Sequence, residues 1–135
     1  MEKLRAALSR LPQWVFTAAT TLLILWLTLA PDPLGDDAPT LFPGADKIVH
    51  AIMFGFLTTM ILLDTERKRG WIQLPAVRIV SAAVASALLG ALIEVAQLEM
   101  EMGRGFEWAD MVADATGAAL CGCGWKMLQR HWSVN

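Results

Sequence analysis

His50, Glu94, Asp110 and Asp114 are the residues of this 135-residue chain whose chemistry is hardest to explain as packing. Each lies in or beside a long apolar stretch, where ionisable side chains are rare and face a bundle interior or a water-filled cavity. A histidine oriented by a carboxylate is the basis of a general base or an activated nucleophile, which gives His50, Glu94 and Asp110 as candidate catalytic residues. Lys47, Gln97, Arg104 and Asp114 form the candidate binding set. Lys47 and Arg104 could hold an anion, Arg104 through the bidentate contacts that a guanidinium makes with phosphate. Plainer roles compete. His50 could bond across helices, Glu94 and Gln97 (i,i+3) could be packing glue, and Arg104 could pair with the acids. Asp110 and Asp114, one turn apart on one face, need a proton, a partner or a cation. The expectation is Arg104 within ion-pair reach of Asp110 or Asp114, and His50 across the same pocket from Glu94.

Four apolar stretches must position these groups, at about residues 11–30, 47–63, 77–98 and 110–128. The first carries no charge, and twenty residues of helix span about 30 Å, a bilayer core. Lys3, Arg5 and Arg10 before it allow a signal-peptide reading, but the apolar part is long for one and 28–30 is a weak cleavage site. The other three carry internal charges and qualify as spans only if those face the bundle. In the third, Ala82, Ser86, Gly90 and Glu94 recur every four residues, a small-residue ridge that suits close packing in lipid. In the fourth, Asp110, Ala113, Asp114, Gly117 and Cys121 share a face. The stretch between the first two, with Pro31, Pro33, Pro39 and Pro43, reads as an extended acidic excursion.

With four spans and the N-terminus inside, Lys3, Arg5, Arg10, Arg67, Lys68, Arg69, Arg78, Lys126 and Arg130 fall on the cytoplasmic side. Only Lys47 and Arg104 fall outside. That is the positive-inside bias of a polytopic membrane protein, and a soluble bundle tethered by its first helix has no reason to show it. Asp46, Lys47, His50, Glu94, Gln97, Arg104, Asp110 and Asp114 then share the outer level, opposite Arg67, Lys68 and Arg69. On this reading Arg67 meets only water and lipid head groups. The predicted fold is one all-α domain, a four-helix transmembrane bundle with both termini cytoplasmic.

Composition agrees. Hydrophobic residues make up 56 % and charged residues 18 %, against roughly 45–50 % and 25 % in soluble domains. Six Trp without a Tyr suit interfacial anchoring. Eleven Lys+Arg against thirteen Asp+Glu leave no basic excess for a nucleic-acid partner. Cys121 and Cys123 read as small packing residues, since with one residue between them they point to different faces and no further ligand is near. No serine-nucleophile motif, H-E-x-x-H, Walker loop or Rossmann fingerprint is present.

The order and spacing of Asp46-Lys47-x-x-His50, Glu94-x-x-Gln97 and Arg104-x(5)-Asp110 followed by Gly117 resemble the VanZ-like family of membrane proteins over about residues 45–125. Two positions depart from that pattern: Asp114, where members often have Asn, and Phe54, where many have Tyr. The resemblance implies a multi-pass protein of the bacterial cytoplasmic membrane and a role of the glycopeptide-resistance type. It leaves any cofactor unknown.

Two function classes follow. The first is an envelope protein whose outer polar pocket binds an anionic lipid or a lipid-linked precursor. The second is an enzyme acting on a phosphorylated lipid head group, with His50 as base or nucleophile oriented by Glu94 or Asp110. No dedicated metal site is assigned, and a divalent ion held by His50, Glu94, Asp110 and Asp114 is a variant of the second reading. A transporter is the weakest class, because four spans leave no inverted repeat.

Overall fold

Proline and glycine set the boundaries of the elements. The computed structural model describes residues 2–31, 42–100 and 106–132, and these form five helices with no strand among them. They are α1 (Glu2–Ser9), α2 (Val15–Leu29), α3 (Ala45–Lys68), α4 (Ala76–Glu99) and α5 (Trp108–Trp132). Pro12 separates α1 from α2, since it lacks an N–H and disfavours helix in the residue before it. Trp14, in the left-handed region with φ 63°, starts α2. The first apolar stretch, expected as a span over 11–30, is therefore a helix of 15 residues.

The second stretch departs in the other direction. It is expected to end near residue 63, but α3 continues to Lys68 and closes in a Schellman motif. Gly70 adopts φ 73°. Its N–H donates to the Arg67 carbonyl at 3.2 Å, and the Trp71 N–H to that of Glu66 at 2.8 Å. α4 begins directly after the extended Pro75.

Two helices, α3 and α4, are long and apolar enough to cross a membrane, and α2 is apolar but shorter. α5 has the length, but its Gly, Trp, Asp and Lys residues dilute its apolar character. The two apolar cores are small. Ile24, Phe54, Leu57 and Ile93 join α2, α3 and α4. Leu62, Leu74, Ile79 and Ala82 fill the end where α3 stops and α4 starts.

Beside these cores the interior is polar, and the outside is apolar. Thr58, Ser86, Glu94 and Asp114 are among the largest fully buried side chains. The Thr58 hydroxyl donates to Ser86 Oγ at 2.9 Å, linking α3 to α4. Val77, Val80, Val84, Leu88, Leu92 and Val95 form an exposed row down one side of α4. The predicted ridge at Ala82, Ser86, Gly90 and Glu94 is buried on the opposite side.

Candidate functional site

The site lies at one end of the bundle, where α3 begins, α4 ends and α5 begins. Gly44, at φ 84°, turns the chain into α3. The first turns of that helix present Asp46, Lys47 and His50, with His50 on the buried side. Two glycines let the neighbouring backbones close around it. A Cβ at Gly117 would overlap the Ala51 backbone, so α5 lies directly against α3. A Cβ at Gly90 would overlap the Asp114 carboxylate, so that side chain lies against α4. Larger residues at either position would push the acid-bearing helix out of reach.

His50 Nδ1 lies 2.9 Å from Asp114 Oδ1. In a neutral imidazole that donates from Nδ1 to this carboxylate, Nε2 carries the lone pair. Nε2 is 3.9 Å from Asp110 Oδ2. Glu94 comes from the third side, and one ligand atom each from His50, Glu94 and Asp110 lies within 4.8 Å of the other two. Asp114 is 0 % and Glu94 1 % exposed. Glu94 Oε2 accepts the Glu107 backbone N–H at 3.1 Å. Its Oε1 is buried and has no hydrogen-bond partner among the described residues, and the same holds for Asp114 Oδ2.

A cation lies on the outer edge of this cluster. Lys47 Nζ is 3.0 Å from Asp46 Oδ2, 2.7 Å from Glu107 Oε2 and 3.3 Å from Asp110 Oδ1. The last contact is an ion pair without the angle of a hydrogen bond, since Asp110 Oδ1 has no hydrogen-bond partner among the described residues. The described residues thus gather five carboxylates, from Asp46, Glu94, Glu107, Asp110 and Asp114, around one lysine and one imidazole.

The structure therefore brings together His50, Glu94, Asp110, Asp114 and Lys47. The partners differ from those expected in one respect. Asp114, and neither Glu94 nor Asp110, holds the imidazole. Gln97 is at the same end, with its Nε2 donating to the Thr28 carbonyl of α2 at 2.8 Å. That bond gives it the helix-joining role weighed for it above. Arg104, and with it the expected pairing to Asp110 or Asp114, lies outside the described residues.

Glu107 is a member that the sequence reading passes over. It immediately precedes α5, and its carbonyl accepts the Asp110 N–H at 3.0 Å. An acid at a helix start is a common signal, which explains why it did not stand out.

At the opposite end the expectation for Arg67 fails. Arg67 is buried, pairs with the fully buried Asp64 and donates to the backbone carbonyls of Leu8 and Leu11 at 2.8 and 3.1 Å. Asp64 also accepts from the Thr17 N–H and hydroxyl. Glu66 accepts from Trp125 Nε1 at 3.1 Å and from the Gln129 amide. This second polar layer ties α1, α2 and α5 to the end of α3. It arises because α3 extends one turn beyond its expected end.

No curated protein and no solved structure gives a significant match to the chain. The VanZ/LLP1 family model matches residues 5–129, a stretch containing every described residue of the site. The chain belongs to the VanZ/LLP1 family.

Proposed function

We propose that this chain is a single-domain, multi-pass protein of the bacterial cytoplasmic membrane. Its His50–Asp114 end lies at the outer face and receives the anionic head group of an envelope lipid or lipid-linked precursor. The carrying observation is the convergence of His50, Glu94, Asp110 and Asp114 from three helices at one end of a bundle whose outward faces are apolar. Intramembrane ionisable groups arranged this way mark ligand sites. Lys47, half-exposed beside them, is the described cation that a head group would meet first, with Arg104 expected to join it. A role of the glycopeptide-resistance type fits a protein that binds such precursors.

The Asp114–His50 bond favours a second reading, an enzyme acting on the same head group. In that reading Asp114 fixes the imidazole and Nε2 takes a proton from the attacking group, as in other carboxylate-oriented histidine bases.

Lipid profiling of cells with and without the protein, beside cells carrying His50→Ala, tests both. A changed head group that requires His50 supports the enzyme. Unmodified anionic lipid co-purifying with the wild-type protein and lost in His50→Ala supports the binder. Profiles identical in all three strains, with no co-purifying anionic lipid, would exclude both.

A further inference from the structure

We propose that this site is a divalent-cation centre, with His50 Nε2, Glu94 and Asp110 as ligands and Asp114 orienting His50 from behind. The proposal rests on the reading of this cluster as the functional site. It makes His50 a ligand rather than a base.

Two overlapping acidic triads share Asp110. The outer one, Asp46, Glu107 and Asp110, is filled by the Lys47 ammonium, which lies within 3.3 Å of all three. The inner one, His50, Glu94 and Asp110, meets the Lys47 ammonium at the shared Asp110, whose Oδ1 is 3.3 Å from Nζ, while no ion pair to Lys or Arg is found for Glu94 or His50 among the described residues. Glu94 is 1 % exposed, and its Oε1 has no hydrogen-bond partner among the described residues. A buried carboxylate oxygen with vacant lone pairs is costly unless a positive charge or a proton meets it. The Asp114–His50 contact at 2.9 Å supplies an independent sign. Metal-binding histidines usually donate their other ring N–H to a carboxylate, which aims the lone pair at the metal.

The ligand atoms lie within 4.8 Å of one another. Bonds of about 2.0–2.2 Å require ligand atoms about 3–4 Å apart, so small side-chain rotations close the site. One imidazole and two carboxylates suit zinc or manganese better than the hard, all-oxygen ions magnesium and calcium. Three protein ligands leave positions open. A phosphate oxygen of a head group fits there, which explains how an end rich in carboxylates could receive an anion.

The test uses the full chain purified in detergent, stripped with chelator and dialysed against Zn²⁺ or Mn²⁺ alone, with bound metal measured by elemental analysis. We expect about one ion per chain and a higher melting temperature that chelator reverses. Glu94→Gln and Asp110→Asn keep side-chain volume and are expected to weaken binding by at least roughly a hundredfold. Asp114→Asn, which retains an acceptor for Nδ1–H, is expected to weaken it by about tenfold. Helix content and gel-filtration profile matching the stripped wild type show that a variant is folded. Bound Mn²⁺ should also show nitrogen coupling by electron paramagnetic resonance in the wild type, absent in His50→Gln, which tests the ligand set even if the carboxylate variants fail to fold.

Wild-type protein without bound ion at about 1 mM free metal, or unchanged binding in both carboxylate variants, overturns the proposal. So does metal uptake only by Arg104→Gln, which would put the Arg104 guanidinium in the inner triad. The lipid reading fails separately: a chain that binds metal but no anionic lipid vesicles refutes the lipid reading alone. Vesicle binding that survives chelator refutes the metal bridge alone.

Discussion

The imidazole of His50 and the carboxylate of Asp114 are the pair on which the site depends, and their roles can be separated by what each substitution leaves behind. Asp114 is fully buried, with one oxygen on His50 Nδ1 and the other against Gly90. Asp114→Leu strands a buried N–H, which costs about 1–3 kcal/mol. Asp114→Asn keeps a carbonyl oxygen for that N–H and removes one charge from a crowded acidic cluster. It should lose less than about 1 kcal/mol in thermal unfolding in detergent. Equal destabilisation by the two would show that the hydrogen bond contributes nothing. At this scale the sequence is informative about membership but not about pairing. Residue types and the i,i+4 spacing bring Asp110 and Asp114 to one face with His50 opposite. The depth of the contact between α3 and α5 decides which acid meets the ring. That depth is set by Gly117 lying on the Ala51 backbone, a close approach that no local pattern around His50 announces.

The elements are legible in the sequence where apolar runs are clean, and not at their polar ends. α3 was expected to stop where its apolar residues stop, near 63, yet Asp64, Thr65, Glu66 and Arg67 are all buried within it. Asp64 and Arg67 pair with each other at i,i+3, but the partners that complete the burial of Asp64, Glu66 and Arg67 lie far away in sequence, Thr17, Trp125, Gln129 and the carbonyls of Leu8 and Leu11, which periodicity cannot reveal. Arg67 is thus the clamp between the chain preceding α2 and the end of α3. It also covers the Phe16 ring, 4.9 Å from its centroid. Removing one partner of a buried ion pair costs about 3–5 kcal/mol, because the other charge is left without compensation. Arg67→Ala is therefore expected to destabilise the detergent-solubilised protein on that scale, whereas Lys68→Ala, at an exposed position, should stay near wild type. Similar melting temperatures for the two variants would mean that the α1–α2 connection is not anchored as the hydrogen bonds indicate.

For the whole molecule, the distribution of polarity argues for lipid around the bundle. A soluble helical protein buries Leu, Ile and Val and exposes its charges. Here Val80, Leu88 and Leu92 of α4 and Ile48, Ile52 and Phe56 of α3 face outward, while Glu94, Asp114, Asp64 and Arg67 face inward. Extended apolar exposure of this kind marks a membrane or partner surface. The two polar layers lie at opposite ends, one at the start of α3 and the other at its finish, as expected if the helices between them cross the hydrocarbon. Which end faces the cytoplasm is then a matter of charge. Arg67, Lys68, Arg69, Arg78, Lys126 and Arg130 belong to the end away from His50, and positive residues are retained on the cytoplasmic side. In the proposed multi-pass arrangement α5, although less apolar, runs across the membrane beside α3, with which it is in backbone contact at Gly117 and Ala51. α2 has 15 helical residues and reaches about 22 Å, less than the roughly 30 Å hydrocarbon thickness, so as a span in the proposed arrangement it needs its flanking chain or a locally thinner bilayer to cover the difference. Reporter fusions at Asp37 and Gly103 should accordingly read outside, and fusions at Lys68 and Asn135 inside. A cytoplasmic signal at Asp37 with an external one at Lys68 would invert the map and place the His50 cluster on the cytoplasmic face, where envelope precursors are met before export. A cytoplasmic signal at all four positions would instead mean that the apolar surface is covered by protein rather than lipid.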